Sequence, residues 1–158
     1  MNIHGEAADE NFSEYVTATV GDQLFGLPIL RVQDVFVPDR LTRVPLAPVE
    51  VAGVLNLRGR IVTVIDMRVR LGIGKQERET GAQRMAIGIE SRGESYGLLI
   101  DAVGEVLRLD SASREANPVN LDPRIARVSS GIHRLEGQLL VVIDVDRVLE
   151  MSAKAMAA

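Results

Sequence analysis

Gly53-Val54-Leu55-Asn56-Leu57-Arg58-Gly59-Arg60-Ile61-Val62-Thr63-Val64-Ile65-Asp66 decides the fold, because the chain writes this stretch twice. Seventy-eight positions on stands Gly131-Ile132-His133-Arg134-Leu135-Glu136-Gly137-Gln138-Leu139-Leu140-Val141-Val142-Ile143-Asp144. Each copy has two apolar runs around a dipeptide ending in glycine, Arg58-Gly59 or Glu136-Gly137, the pattern of a hairpin. An upstream block repeats as well, seventy-one positions apart. Phe25-Gly26-Leu27-Pro28-Ile29-Leu30-Arg31-Val32-Gln33-Asp34-Val35 matches Tyr96-Gly97-Leu98-Leu99-Ile100-Asp101-Ala102-Val103-Gly104-Glu105-Val106 with five of 11 pairs identical. The growth in offset is a seven-residue insertion between the blocks of the second copy. Two blocks in one order indicate a duplicated unit, and the period is too long for a solenoid. The expectation is two similar small modules packed on each other.

Working outward, Glu14–Val20 alternates in the manner of a strand, with Val16, Ala18 and Val20 on one face. Gly21-Asp22 is a turn, Gln23–Leu27 a second strand, and Ile29–Phe36 a short helical turn entering a strand. Pro38, Pro45 and Pro48 punctuate a connection before the hairpin. Asp66 stands where it can cap a short helix over Met67–Leu71, ended by Gly72. The second half repeats the plan with strands at Met85–Glu90 and Ser95–Ile100, a long connector over 110–127, the second hairpin, and Asp144 capping a helix to Leu149. Residues 1–13 and 152–158 read as flexible tails around one domain over 14–151, with pseudo-repeat subdomains at about 14–75 and 84–150. Short strands, glycine turns and short helices predict a mainly β fold of two small antiparallel barrels.

Composition narrows the function. The chain is 46% hydrophobic but only 3% aromatic, so its core must be aliphatic. Each half is marginal for an independent core, which predicts an apolar interface shared by both. The absence of cysteine excludes disulfides and thiolate metal sites and fits a reducing cytoplasm. No basic stretch followed by an apolar run opens the chain, so no signal peptide is expected, and no apolar run reaches the roughly 18 residues of a membrane span. A net charge of −4 argues against nucleic acid as a partner. Nearly all the basic residues are arginine, which reflects either codon bias or use at a protein interface.

The residue types that catalysis uses are few. Ser129, Ser130, His133 and Asp144 are the ingredients of a triad, without a nucleophile elbow to frame them. His4 and His133 are the only histidines and cannot alone build a zinc site. Asp66 and Asp144 are either a carboxylate pair or, being repeat equivalents, two helix caps. Gly72-Ile73-Gly74-Lys75 follows a helix rather than opening one, which reads as a linker rather than a phosphate loop. The reading is of a non-enzyme with no cofactor and no metal.

Gly53-Val54 before Asn56-Leu57-Arg58-Gly59, the stretch Ile29–Val35, Thr42-Arg43-Val44-Pro45-Leu46-Ala47-Pro48, and Tyr96–Asp101 together resemble the CheW-type coupling proteins of bacterial chemotaxis over about Glu14 to Met151. One departure is Thr63, where many relatives place proline; threonine suits a strand. The resemblance implies two SH3-like five-stranded barrels with a shared hydrophobic interface. It implies an adaptor bridging the cytoplasmic tip of methyl-accepting chemoreceptors to a CheA-type histidine kinase. The protein would then be cytoplasmic, recruited to receptor arrays and touching membrane only through receptors.

The candidate partner-binding residues are Gly53, Asn56, Leu57, Arg58 and Gly59 of the first hairpin, with Val32, Val103 and Val106. Arg58 is either a solvated turn residue or an anchor for a carboxylate on a partner. Gly53 and Gly59 read as backbone devices. The three valines are either core or the lining of an apolar groove for a receptor helix. Two alternatives stand beside the adaptor: a CheW-like scaffold of another chemosensory-type pathway, and an OB- or SH3-like nucleic-acid binder. The second lacks interleaved aromatics, with three Phe and two Tyr in the chain.

Overall fold

The computed structural model describes residues 11–74 and 84–150. Strands run β1 (Phe12–Val20), β2 (Gln23–Pro28), β3 (Val32–Phe36), β4 (Val51–Leu57) and β5 (Arg60–Asp66), followed by helix α1 (Met67–Arg70). The second half gives β6 (Met85–Ser91), β7 (Glu94–Ile100), β8 (Ala102–Asp110), β9 (Arg114–Glu115), helix α2 (Pro123–Ala126), β10 (Ser129–Leu135) and β11 (Gln138–Ile143). A closing helix covers 145–150. A single 3-10 turn at Ile29–Arg31 feeds β3, as Pro28 and the β-branched Val32 and Val35 predict.

The duplication is written into the hydrogen-bond register. In the first half Val64 pairs with Gly53 after a bulge between Val51 and Gly53, and in the second Val142 pairs with Gly131 after a bulge between Ser129 and Gly131. Val64 also lies beside Gly97, and Val142 beside Gly26. Val32 pairs with Ile89, and its equivalent Val103 with Ala18.

These pairings also correct the expected modules. The six-stranded sheet runs β8-β1-β2-β11-β10-β9 and the five-stranded sheet β3-β6-β7-β5-β4. Each therefore joins the first hairpin of one half to the second hairpin of the other, and the split at 14–75 and 84–150 does not separate the sheets. The junctions, β2 with β11 and β5 with β7, are parallel. The sheets are mixed rather than antiparallel, and they are open rather than closed barrels, because each ends in two edge strands. Strand β1 also starts earlier than the tail over 1–13 allowed. Phe12 and Ser13 belong to β1, where Phe12 pairs with Asp110 and lies under the Arg108 guanidinium at 4.3 Å.

The main core lies between the sheets. Val16, Ala18, Val20, Phe25 and Leu27 meet Ile65, Ile87, Ile89, Leu98 and Ile100 there, joined by Val145, Val148 and Leu149 from the closing helix. It draws on both halves, so neither can bury its apolar surface alone. A small cluster sits on the far face of each sheet: Leu55, Val62, Val64 and Leu99 on one, Tyr15, Leu140 and Val142 on the other.

Candidate partner-binding surface

β4 and β5 are joined by Arg58-Gly59 alone, so both turn residues must twist backward; Arg58 has φ +54° and Gly59 φ +82°. Asn56 supports the turn, its Oδ1 accepting from the Gly59 N–H at 2.9 Å. The Arg58 side chain is exposed and forms no ion pair among the described residues. Gly53 is required for a different reason. Its φ is +156°, and a methyl group there would stand 2.7 Å from the Thr42 carbonyl oxygen. That close approach lets Thr42 bridge Val54 through two backbone hydrogen bonds of 2.8 Å. The 37–42 connection is thereby held against the hairpin, forming a cleft with Val37, Arg40, Thr42, Asn56, Leu57 and Ile61 in its walls. Ile61 is 63% exposed at its edge.

The five hairpin residues are therefore together, at one end of the five-stranded sheet. The three valines are elsewhere. Val32 lies on β3, an edge of the five-stranded sheet, while Val103 and Val106 lie on β8, an edge of the six-stranded one. Val32 and Val103 pack against the main core, and Val106 is 49% exposed. Sequence reasoning passed over Val35, the repeat equivalent of Val106 and likewise exposed; the repeat itself was the signal. It also passed over Leu46, between Pro45 and Pro48, and Val49, just after Pro48, apolar residues exposed outside any strand pattern.

A second unforeseen feature is a polar cluster at the strand ends. Arg68 grips Asp101 through Nε and Nη2 at 2.8–3.1 Å, and Arg84 grips Asp66 with both Nη atoms at 3.2 Å. Arg84 also comes within 3.7 Å of Asp101, which accepts from the Gly21 N–H at 2.8 Å. Burial works against ionisation of Asp101, but the hydrogen bonds from Arg68 and Gly21 and the positive charge of both arginines outweigh it. They hold its carboxyl below the usual range. Partners 33 residues apart have no spacing signal.

The expected caps are present. Asp66 accepts from the N–H groups of Arg68 and Val69, and Asp144 from that of Arg147. The triad ingredients are not assembled. His133 is buried, with Nε2 3.1 Å from the Tyr15 hydroxyl and Nδ1 3.0 Å from Ser113 Oγ, while Ser129 Oγ turns to Asn117 at 2.6 Å. Burial lowers the His133 pKa, Arg114 adds to this and Glu115 opposes it. Among the described residues no group of three or more His, Asp or Glu side chains is placed to hold a metal, and no helix is long and apolar enough to cross a membrane. His4 and Lys75 lie outside the described residues.

The profile of the CheW-like domain matches residues 14–153, nearly the whole chain. The chain belongs to the CheW-like family of chemotaxis coupling proteins. It is 27% identical over 144 residues to the chemotaxis protein CheW of Rhizobium meliloti, covering 91% of this chain and 92% of that one. It is 26% identical to the CheW of Thermotoga maritima over 137 residues, 87% of each chain. The crystal structure of the scaffolding protein TtCheW from Thermoanaerobacter tengcongensis superimposes with a TM-score of 0.79 and 31% identity, over 92% of both chains. The CheW-like family is one of scaffolds and adaptors, in keeping with an architecture of sheets, clefts and exposed apolar edges.

Proposed function

We propose that this chain couples the cytoplasmic tips of chemoreceptors to a CheA-type histidine kinase as a non-enzymatic adaptor, working in the cytoplasm and reaching the membrane only through the receptors it binds. Family membership supports the adaptor role. The observation that carries the site is the Arg58 hairpin: an exposed cation without an ion pair among the described residues, on a turn fixed by Asn56 and Gly59, beside the exposed Ile61. An arginine next to apolar surface on a rigid support has the make-up of an interface hot spot. Asn56, Leu57, Gly53 and Gly59 hold it in position. Val32, Val103 and Val106, on two edge strands, are proposed to contact the apolar side of a receptor helix.

The test is reconstitution. The purified chain, a soluble receptor-tip fragment and the kinase are run together on a sizing column, and kinase autophosphorylation is followed. Co-elution of all three, with kinase activity responding to the receptor only when the chain is present, is expected. Elution of the chain apart from both would overturn the reading.

A further inference from the structure

The two sheets carry the same mouth on their far faces, closed in one and open in the other. Thr42 bridges Val54, and Glu115 pairs with Ile132. Val54 and Ile132 are repeat equivalents, so Leu41 and Arg114, each one residue earlier, hold the same position. The glycines agree: a methyl group at Gly53 would lie 3.4 Å from Leu41 Cβ, and one at Gly131 would lie 3.5 Å from Arg114 Cγ. In the five-stranded sheet Leu41 plugs the mouth, packed with Ala52, Val64 and Leu99. Their equivalents in the six-stranded sheet are Arg114, Ser130, Val142 and Pro28, and there the same place is a cavity of about 260 Å³.

The chemistry of that cavity is mixed. Tyr15, Val142 and Ile29 give it an apolar wall, and the Arg108 guanidinium lies over the Phe12 ring at its edge. Arg114 donates one N–H to the Ser130 carbonyl at 2.6 Å, and a guanidinium carries five donors. Glu14 also lines the cavity, and Arg114 keeps N–H donors beyond the one given to Ser130. An apolar wall beside a guanidinium with donors to spare suits an apolar body that ends in one carboxylate.

We infer that this cavity binds a small amphipathic monocarboxylate. A branched aliphatic body takes the place that Leu41 fills in the other sheet, and the carboxylate meets Arg114. The proposal is independent of the adaptor role and uses none of the hairpin residues.

The probe is 4-methylpentanoate, whose isobutyl end matches a leucine side chain, titrated into the full chain and followed by amide NMR. The expected result is saturable shifts at Tyr15, Ser130 and Val142, with an affinity on the order of millimolar for so few atoms. Arg114→Leu writes the other sheet's plug into this one and should weaken binding at least about tenfold, as should replacing the acid by 4-methylpentanamide. Arg114→Gln, which keeps a polar side chain on the exposed rim, should do the same and guards against a folding defect in the leucine variant. Absence of saturable shifts, equal binding of the amide, or wild-type binding by a folded Arg114 variant would each overturn the assignment.

Discussion

Asp66 and Asp144 stand at the same place in the two halves, yet only Asp66 is tied into a cluster. Their backbones are equivalent: the Asp66 N–H donates to the Glu50 carbonyl at 2.7 Å, and the Asp144 N–H to the Val128 carbonyl at 2.8 Å. Both cap the helix that follows. Beyond that they part. Asp66 holds Arg84 beside the Arg68–Asp101 pair, all four side chains between 12% and 22% exposed. Asp144 has an ion pair with Arg147, whose side chain is 54% exposed. The repeat positions that would rebuild the cluster around Asp144 carry Ser13 for Arg84, Leu30 for Asp101 and Asp146 for Arg68. Duplication kept what the backbone needs and let the long-range charges diverge.

The largest expected effect follows directly. Asp66→Ala removes a cap and strands Arg84, and should cost about 2–4 kcal/mol in urea unfolding. Asp144→Ala removes a cap and an exposed pair and should cost about 1 kcal/mol. Equal losses would mean the cluster adds nothing to stability. Gly53 and Gly131 sharpen the comparison from the other side, because their backbones did not diverge. Each has φ near +150°, and an added methyl group would meet a carbonyl oxygen at 2.7 or 2.9 Å. Alanine at either should cost about 1–3 kcal/mol. A clear gap between the two would break the backbone equivalence.

The far-face clusters give a smaller, pH-dependent contrast. Tyr15 and His133 stand where the other half has Ala86 and Leu55. His133 has a folded-state pKa below its ordinary value, so the folded protein binds fewer protons there than the unfolded chain does. Its contribution is present above about pH 6.5 and is lost as pH falls towards the lowered folded value, with a slope of up to about 1.4 kcal/mol per pH unit. His133→Leu, which copies Leu55, should flatten stability between about pH 6.5 and 5.5, whatever its offset at neutral pH. An unchanged slope in urea titrations across that window would remove His133 as the cause.

The local half of this architecture was legible in the sequence, because hairpins, caps and glycine turns have short-range signatures. Arg58-Gly59, the 3-10 turn before Val32 and both aspartate caps read directly from residue types and spacing. The exchange of hairpins between sheets was not legible. It lies in the parallel pairing of Val64 with Gly97 and of Val142 with Gly26, contacts between distant segments that no local pattern encodes. The Arg68–Asp101 and Arg84–Asp66 pairs escaped for the same reason. At the candidate surface, the hairpin residues were readable as a group because they are contiguous, whereas Val35 needed the repeat to be followed from Val106.

Arg58→Ala tests the central claim most directly, because folding and partner binding pull apart there. An exposed turn side chain without an ion pair among the described residues should cost the fold no more than about half a kcal/mol, so the thermal midpoint should stay put. If the hairpin is the anchor, the same change should weaken affinity for the receptor tip or the kinase by about 1 kcal/mol or more and abolish receptor control of the kinase. An unchanged midpoint with weakened binding is the predicted result. Wild-type affinity for both partners would contradict the account.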